Sequence, residues 1–444
     1  IGDTAYYTMD AAFHAVQAGE TIVMQRDYTT GAEQYSGNES FAINLNGKTW
    51  TYTGTNTNHA AFEINHPNVT LTVQNGTVAS NSMVGLIPSA MGVGGTITYD
   101  NAGLVFEDVV MTTTAHSGIE TNGNNTNDTV TLKNSTLNVP NGYGIYFPSS
   151  GTLTIDNSTI NAKTMGVQVC AGSLSINAGS AITVTGDAVP KTENDGAIQD
   201  GAAISIVNRT GYKGLGDVTV TGGKFTAKAG NKAIKAYDWA NNTETEFTAN
   251  KTVAVSGGTF SSAVKEEYCA TGYIPKDNGD GTYGVKEGAY VAKVDNVKYE
   301  TLQAAIDAAT AEQTVTLLTN LDLSATGLTI AKDKAVTLDL NGKTLKLANT
   351  NSGNIKVVGK LTLQDSTDTA KNGTGTGKVW TETPYISGKQ DKVLIAAIDG
   401  GTFVMESGLI DAASFTADNT NEGQFAVSVQ NENADATVII NGGC

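Results

Sequence analysis

Residues able to do chemistry are sparse in this chain of 444 amino acids. Two glutamates, Glu63 and Glu120, hold the same third place in short phrases, AFEI at 61–64 and GIET at 118–121. Carboxylates that recur at one place of a stacking phrase are what glycosidic hydrolysis needs, if their separation suits an acid and a base. The four histidines, His14, His59, His66 and His116, have no Cys or Asp beside them at ligand spacing, so no metal site and no cofactor is expected. Cys170, Cys269 and Cys444 allow at most one disulfide and exclude a multi-cysteine zinc site. The string DNGDG (277–281) imitates a calcium loop but lacks the downstream bidentate Glu and the alternating ligands. No nucleophile elbow supports a serine triad, and glycine runs such as MGVGG (91–95) open no helix and cradle no phosphate.

Composition narrows the partners. Forty-four acidic against 27 basic residues give a net charge of −17, and only Arg26 and Arg209 are arginine. Nothing here could neutralise a row of phosphates, so nucleic acid and anionic membranes are excluded as partners. No apolar run approaches the ~18 residues of a spanning helix, so no membrane insertion is expected in this segment. The chain opens at Ile1 without a leader, and we expect a mature protein or part of a longer one.

The elements that must position these residues repeat. Residues 6–24 (YYTMDAAFHAVQAGETIVM) align without a gap to 299–317 (YETLQAAIDAATAEQTVTL). Each carries an apolar stripe at helical spacing, with Thr8 or Thr301 placed to cap it. Each copy then reaches one phrase, INLNGKTW at 43–50 and LDLNGKTL at 338–345. Within the first copy, short apolar phrases recur mostly 21–35 residues apart, among them GIYF at 144, GVQV at 166, AISI at 203 and AIKA at 233. A second series lies between them, such as LKNSTL (132–137) and LTIDNSTI (153–160).

Short strands at this period, with no helices between them, exclude a doubly wound α/β fold, and a propeller blade would be longer. A rung that cannot bury its apolar face until the next stacks on it predicts an all-β, right-handed parallel β-helix solenoid. The expectation is two tandem modules, each opened by a short amphipathic capping helix: residues 1–288, closed by a hairpin at the NG and DG dipeptides, and a truncated 289–444. The sequons at Asn68, Asn75, Asn134, Asn157, Asn208 and Asn250 read as corner turns rather than glycosylation sites.

The NGKT phrase and rungs of the form G-I-x-x with TLxNSTI resemble the pectate-lyase-like superfamily of β-helices. The YETLQAAIDAA opening, LDLNGKTL and the GGTFSSAVKEEYCATGY…DNGDGTY closing segment are similar to repeat-built surface proteins of Gram-positive gut bacteria. The first resemblance implies a fold shared by polysaccharide lyases, glycoside hydrolases and silent adhesins; the second implies export and attachment to the cell envelope.

Enzymes of this fold work along one sheet with side chains pointing out of successive rungs. Strand parity predicts an outward row of Glu63, Ile87, Glu120, Tyr146, Gln168, Ser205 and Lys235. Neither arginine falls on that row, and no lyase or hydrolase cluster is visible. Glu63 with Glu120, two rungs or ~10 Å apart, is the weak catalytic candidate, against a reading as solvated surface glutamates. Binding candidates are Glu120, Tyr143, Tyr146, Gln168, Lys235, Tyr237 and Trp239, because aromatics on a rung surface stack on sugars or anchor proteins. The alternative is that they pack beneath their own loops. The acidic loop 187–201 is either a solvated insertion or a recognition loop, and Cys170 is expected to point into the coil.

The expected function is that of a secreted or cell-wall-attached, non-catalytic adhesin binding a host or environmental glycan or protein, within a longer surface protein. A polysaccharide-degrading hydrolase or lyase and a structural stalk are the alternatives.

Overall fold

The chain is an all-β parallel β-helix. A computed structural model describes it except for residues 32–36, 55, 57, 194–195, 249–252, 312, 349, 383–391, 413–423 and 431–433. It divides into two compact units, Ile1–Glu287 and Gly288–Cys444.

In the first unit one sheet is eight-stranded. It runs in parallel through Ala60–Glu63, Met83–Ile87, Ser117–Thr121, Tyr143–Phe147, Met165–Val169, Ile204–Arg209 and Ile234–Ala240, and ends on the antiparallel edge strand Thr243–Thr245. The register keeps Ile119, Ile145, Val167, Ile204 and Ile234 in one column, all buried in the coil. That column follows from an apolar residue at every second position of each rung. The rest of each rung forms the second sheet surface, as in Thr126–Lys133 followed by Thr136–Val139.

Between those two strands the chain turns on a single left-handed residue. Asn75, Asp108, Asn134 and Asn157 occupy this corner with φ of 61°, 56°, 49° and 43°. Asn and Asp tolerate that conformation where other side chains are strained. At another corner the side-chain amides form a ladder: Asn101 Nδ2 donates to Asn68 Oδ1 at 2.9 Å, and Asn127 Nδ2 to Asn101 Oδ1 at 3.3 Å. Five of the six sequons fall on described residues, and Asn250 lies outside them.

The shared NGK phrase is one such device in both units. Asn46 (φ 52°) and Asn341 (φ 48°) are each followed by a glycine at φ 72°. Their side chains reach back one rung, Asn46 to the Met24 carbonyl at 3.1 Å and Asn341 to the Leu317 carbonyl at 3.0 Å.

The helix Met9–Ala15 opens the first unit, whereas in the second an antiparallel hairpin, Ala292–Val294 with Val297–Tyr299, comes before the helix Leu302–Ala308; Thr8 and Thr301 accept from the N–H three residues on at 3.1 Å. Ala12 and Val16, and Leu302, Ala305, Ile306 and Ala309, bury the apolar stripe in the first rungs. The hairpin Tyr273–Asp277 with Tyr283–Glu287 pairs on the last rung of the first unit through Phe260 and Tyr283. Cys170, Cys269 and Cys444 are free thiols.

Candidate functional site

The outer face of the eight-stranded sheet carries the row that parity predicts, with one change of frame. Glu63 is in register with Leu86, and Leu86 with Glu120. Ile87 instead lies inside the coil, fully buried. In the strand Met83–Ile87 the glycine sits in the inward column rather than before it, where Leu104 and Phe106 crowd the space: a Cβ on Gly85 would meet Leu104 Cδ1 at 3.1 Å and Phe106 Cζ at 3.3 Å. Beyond Glu120 the row continues through Tyr146, Gln168, Ser205 and Lys235 as expected.

Most of this face is not open to solvent. The segment Gly196–Asp200 lies on it, so loop 187–201 is neither a purely solvated insertion nor a free recognition loop. The Gln168 side-chain amide pairs with the Ile198 backbone in both directions, Nε2 donating to its carbonyl at 2.7 Å and Oε1 accepting from its N–H at 2.8 Å. Arg209 Nη1 donates to the Gly196 carbonyl. Asp200 accepts from Ser205 Oγ at 2.7 Å, Tyr237 OH at 2.9 Å and the Ala202 N–H at 3.0 Å. Burial pushes the Asp200 carboxyl above the usual carboxylate range, opposed by its hydrogen bonds and by Lys235.

Beneath the segment a second apolar cluster forms outside the coil, from Tyr146, Met165, Cys170, Ala197, Ile198, Val207, Tyr237 and Trp239. Gln168, Tyr237 and Trp239, expected as ligand contacts, are therefore structural: Gln168 is fully buried, and the two aromatics are packed under the cover. Cys170 is buried as expected but on this outer face, two residues past Gln168 as strand alternation requires, and not in the coil. Burial raises its thiol to about 12, so it stays protonated and is a poor nucleophile. Lys235 is held by Glu244 on the edge strand, with its ammonium 4.6 Å from the Tyr237 ring centre.

Glu63 is also not an exposed glutamate. It is 4% exposed, and the His59 ring, on Nδ1, lies 2.9 Å from its Oε2. A hydrolytic pair with Glu120 across Leu86 is thereby contradicted, since one member is sealed and already partnered. His14 lies exposed on its helix, its Nδ1 2.8 Å from the Asp10 carbonyl.

Where the cover ends, a cleft of about 390 Å³ opens between the rung ends and two loops. Its lining includes Glu120, Asn122, Asn124, Tyr146, Pro148 and Tyr212. Two of these, Glu120 and Tyr146, are predicted binding residues. A third, Tyr143, stands behind them: its hydroxyl donates to Glu120 Oε1 at 2.6 Å. Burial first, and then the Glu120 charge, raise the Tyr143 phenol well above its ordinary value, so it remains a donor. Tyr146 and Tyr212 share a hydroxyl–hydroxyl bond of 2.9 Å. Arg209 Nη1 donates to Tyr146 OH at 3.2 Å, and its guanidinium lies 4.9 Å from the Tyr212 ring centre. The loop wall is fixed in turn: Asn125 Nδ2 donates to the Pro88 carbonyl at 2.9 Å, and Lys213 Nζ to the Asn124 carbonyl at 2.6 Å.

Parity reasoning missed Arg209, although it was available. Ser205, Val207 and Arg209 alternate on one strand, and the row was followed only to the first of them. Asn122, Asn124 and Tyr212 stand on loops, where no periodicity signals a position.

Chemically the cleft offers one carboxylate, side-chain amides and phenols, with a cation set behind the aromatic wall. Among the described lining residues Glu120 is the one acidic side chain. Among the described residues no group of three or more His, Cys, Asp or Glu is placed to hold a metal ion.

With known proteins the chain shares little. No protein-family model matches it, and no curated protein does. Among solved structures it is similar to the PL6 family alginate lyase AlyGC at 8% identity, over 98% of this chain and 77% of that one, with a TM-score of 0.17. It is also similar to a point mutant of the same enzyme at 10% identity, over 97% and 78% of the two chains, again with a TM-score of 0.17. Neither likeness bears on what the cleft binds.

Proposed function

We propose that the chain is a carbohydrate-binding β-helix protein whose ligand sits in the cleft between Glu120 and Tyr212. The observation that supports this is the lining itself: one carboxylate, two asparagines and two tyrosines around about 390 Å³, a size suited to one or two sugar units. Hydroxyl groups find acceptors in Glu120 and donors in the amides, while the Tyr212 ring gives an apolar contact. Glu120, within a chain of net charge −17, disfavours polyanions such as pectate. An adhesin-like setting outside the cell, within a larger surface protein, accords with the opening, NGK and closing phrases.

One arrangement favours a second reading, a polysaccharide-cleaving enzyme. Glu120 and Tyr146 meet at one cleft from adjacent rungs, and Arg209 donates to the Tyr146 hydroxyl from behind the wall, placing a carboxylate beside a cation-bonded phenol. The test is retention of the purified chain on immobilised mucin and neutral plant polysaccharides, with reducing ends and unsaturated-uronide absorbance followed in the same samples. Retention that falls about tenfold in Tyr212→Ala, without product, supports binding. Product formation abolished by Glu120→Gln overturns it in favour of the enzyme. A chain retained by none of these polysaccharides is not a carbohydrate binder.

A further inference from the structure

In the second unit a four-stranded parallel sheet runs through Leu321–Asp322, Thr344–Leu347, Lys378–Thr381 and Leu409–Asp411. Its inward residues Leu345, Leu347 and Val379 are fully buried. Its outward residues stand in one row by register: Asp322 beside Lys346, Lys346 beside Trp380, Trp380 beside Asp411. Trp380 is only half-buried, the one tryptophan that neither core holds. Its indole Nε1 has no acceptor among the described residues, as is also true of Trp50 and Trp239, so its partial exposure is what sets it apart.

The charges around the ring are arranged and balanced. Lys346 and Lys378 place their ammonium groups 5.6 and 5.3 Å from the ring centre. Lys346 is paired with Glu382 at 2.6 Å and Asp322 at 3.2 Å, and Lys378 with Asp411 at 3.3 Å. Three carboxylates thus face two ammonium groups, and the row carries no surplus positive charge for an anion. A phosphate or a uronate would meet those carboxylates. A polyhydroxylated neutral chain meets donors and acceptors alternating at the ~4.8 Å strand spacing, around an aromatic surface suited to sugar C–H groups.

From this row we propose a second saccharide-binding strip, on the second unit, for a neutral polysaccharide laid across the strands over Trp380. It is independent of the cleft, and the experiment separates the two. Binding of xylohexaose, cellohexaose and hexagalacturonate to the full chain carrying Tyr212→Ala is measured by calorimetry and by tryptophan fluorescence. The expected result is that this chain still binds a neutral hexasaccharide and shifts its fluorescence. Adding Trp380→Ala then weakens the residual affinity about tenfold or more, whereas Trp380→Phe, which keeps a ring and the packing, costs about threefold or less. Lys378→Gln, at a half-exposed position that leaves the fold intact, is expected to weaken neutral binding by a smaller factor. Failure of the Tyr212→Ala chain to bind either neutral sugar overturns the proposal. So does residual binding indifferent to Trp380→Ala, or tighter binding of hexagalacturonate than of the neutral pair.

Discussion

Tyr237 and Trp239 in the first unit and Trp380 in the second occupy the same kind of position, the outward side of a parallel sheet row. In the first unit a backbone segment, Gly196–Asp200, is tied down over the aromatics by Gln168, Arg209, Ser205 and Tyr237, and a small core forms outside the coil. In the second the ring keeps part of its surface in water, among paired charges. Both coils stack branched aliphatics rung on rung, and the first adds aromatics in contact such as Trp50, Phe62 and Phe106. What distinguishes these outward aromatics is what is laid over them, and an aromatic on an outward row is a contact residue only where nothing covers it.

The comparison breaks most readily on stability. Tyr237→Ala or Trp239→Ala is expected to cost the first unit about 3–5 kcal/mol, as for a buried aromatic in any core, and Trp380→Ala distinctly less. Urea unfolding of each variant measures this, and equal losses would sink the distinction between covered and open faces.

A second effect, on the order of a few kcal/mol at most, belongs to Asp128 under the loop wall of the cleft. Burial raises its carboxyl to about 7, against opposing hydrogen bonds from Asn125, Ser149 and the Ala102 N–H, and Asp100 adds to the rise. A carboxyl with a raised folded-state pKa contributes stability that is fully present below its unfolded value, near 3.9, and lost as pH rises through about 7. The first unit should therefore be more stable at pH 5 than at pH 8. Asp128→Asn should flatten that dependence in melting curves recorded across the range, and an unchanged slope would exclude Asp128 as its source.

Smaller still, Tyr212→Ala should lower retention on the cleft's ligand about tenfold, or ~1.4 kcal/mol, while moving the melting midpoint little, because Tyr212 is half-buried on a loop. A collapse in stability would make Tyr212 a packing residue instead. Least of all, Glu244→Gln removes the partner of Lys235 at a partly exposed site, and such pairs contribute about 0–1 kcal/mol. A larger loss would mean that the edge strand Thr243–Thr245 anchors the sheet.

The coil was legible because its requirements are periodic. Asn46 and Asn341 make the same turn in both units, Thr8 and Thr301 cap the same helix, and the row from Glu120 to Lys235 follows from alternation alone. It failed at 83–87, where Gly85 holds an inward place that a pattern of apolar residues cannot mark. The cover was missed for a related reason. Loop 187–201 reads as acidic and solvated, and its signal is one pair, Ala197-Ile198, inside a polar string. Trp380 could have been placed outward from the inward Val379 beside it, as Arg209 could from the outward Ser205 four residues before it on the same strand. The cleft was the least legible part, because a wall such as Tyr212 meets Tyr146 across 66 residues of chain.

The left-handed corners have a consequence for how such a chain can change. At Asn75, Asp108, Asn134 and Asn157 each rung turns on a single residue, so length there is rationed and one insertion would put the side chains of the strand that follows on the wrong face. The stretches that leave and re-enter the eight-stranded sheet have no such quota: residues 88–102, 122–125 and 185–203 differ several-fold in length between rungs that stack in register. The molecule thus keeps a fixed spine and a free margin, and the cleft's loop wall and the cover both belong to the margin. New specificity can be written there a loop at a time without renegotiating the core.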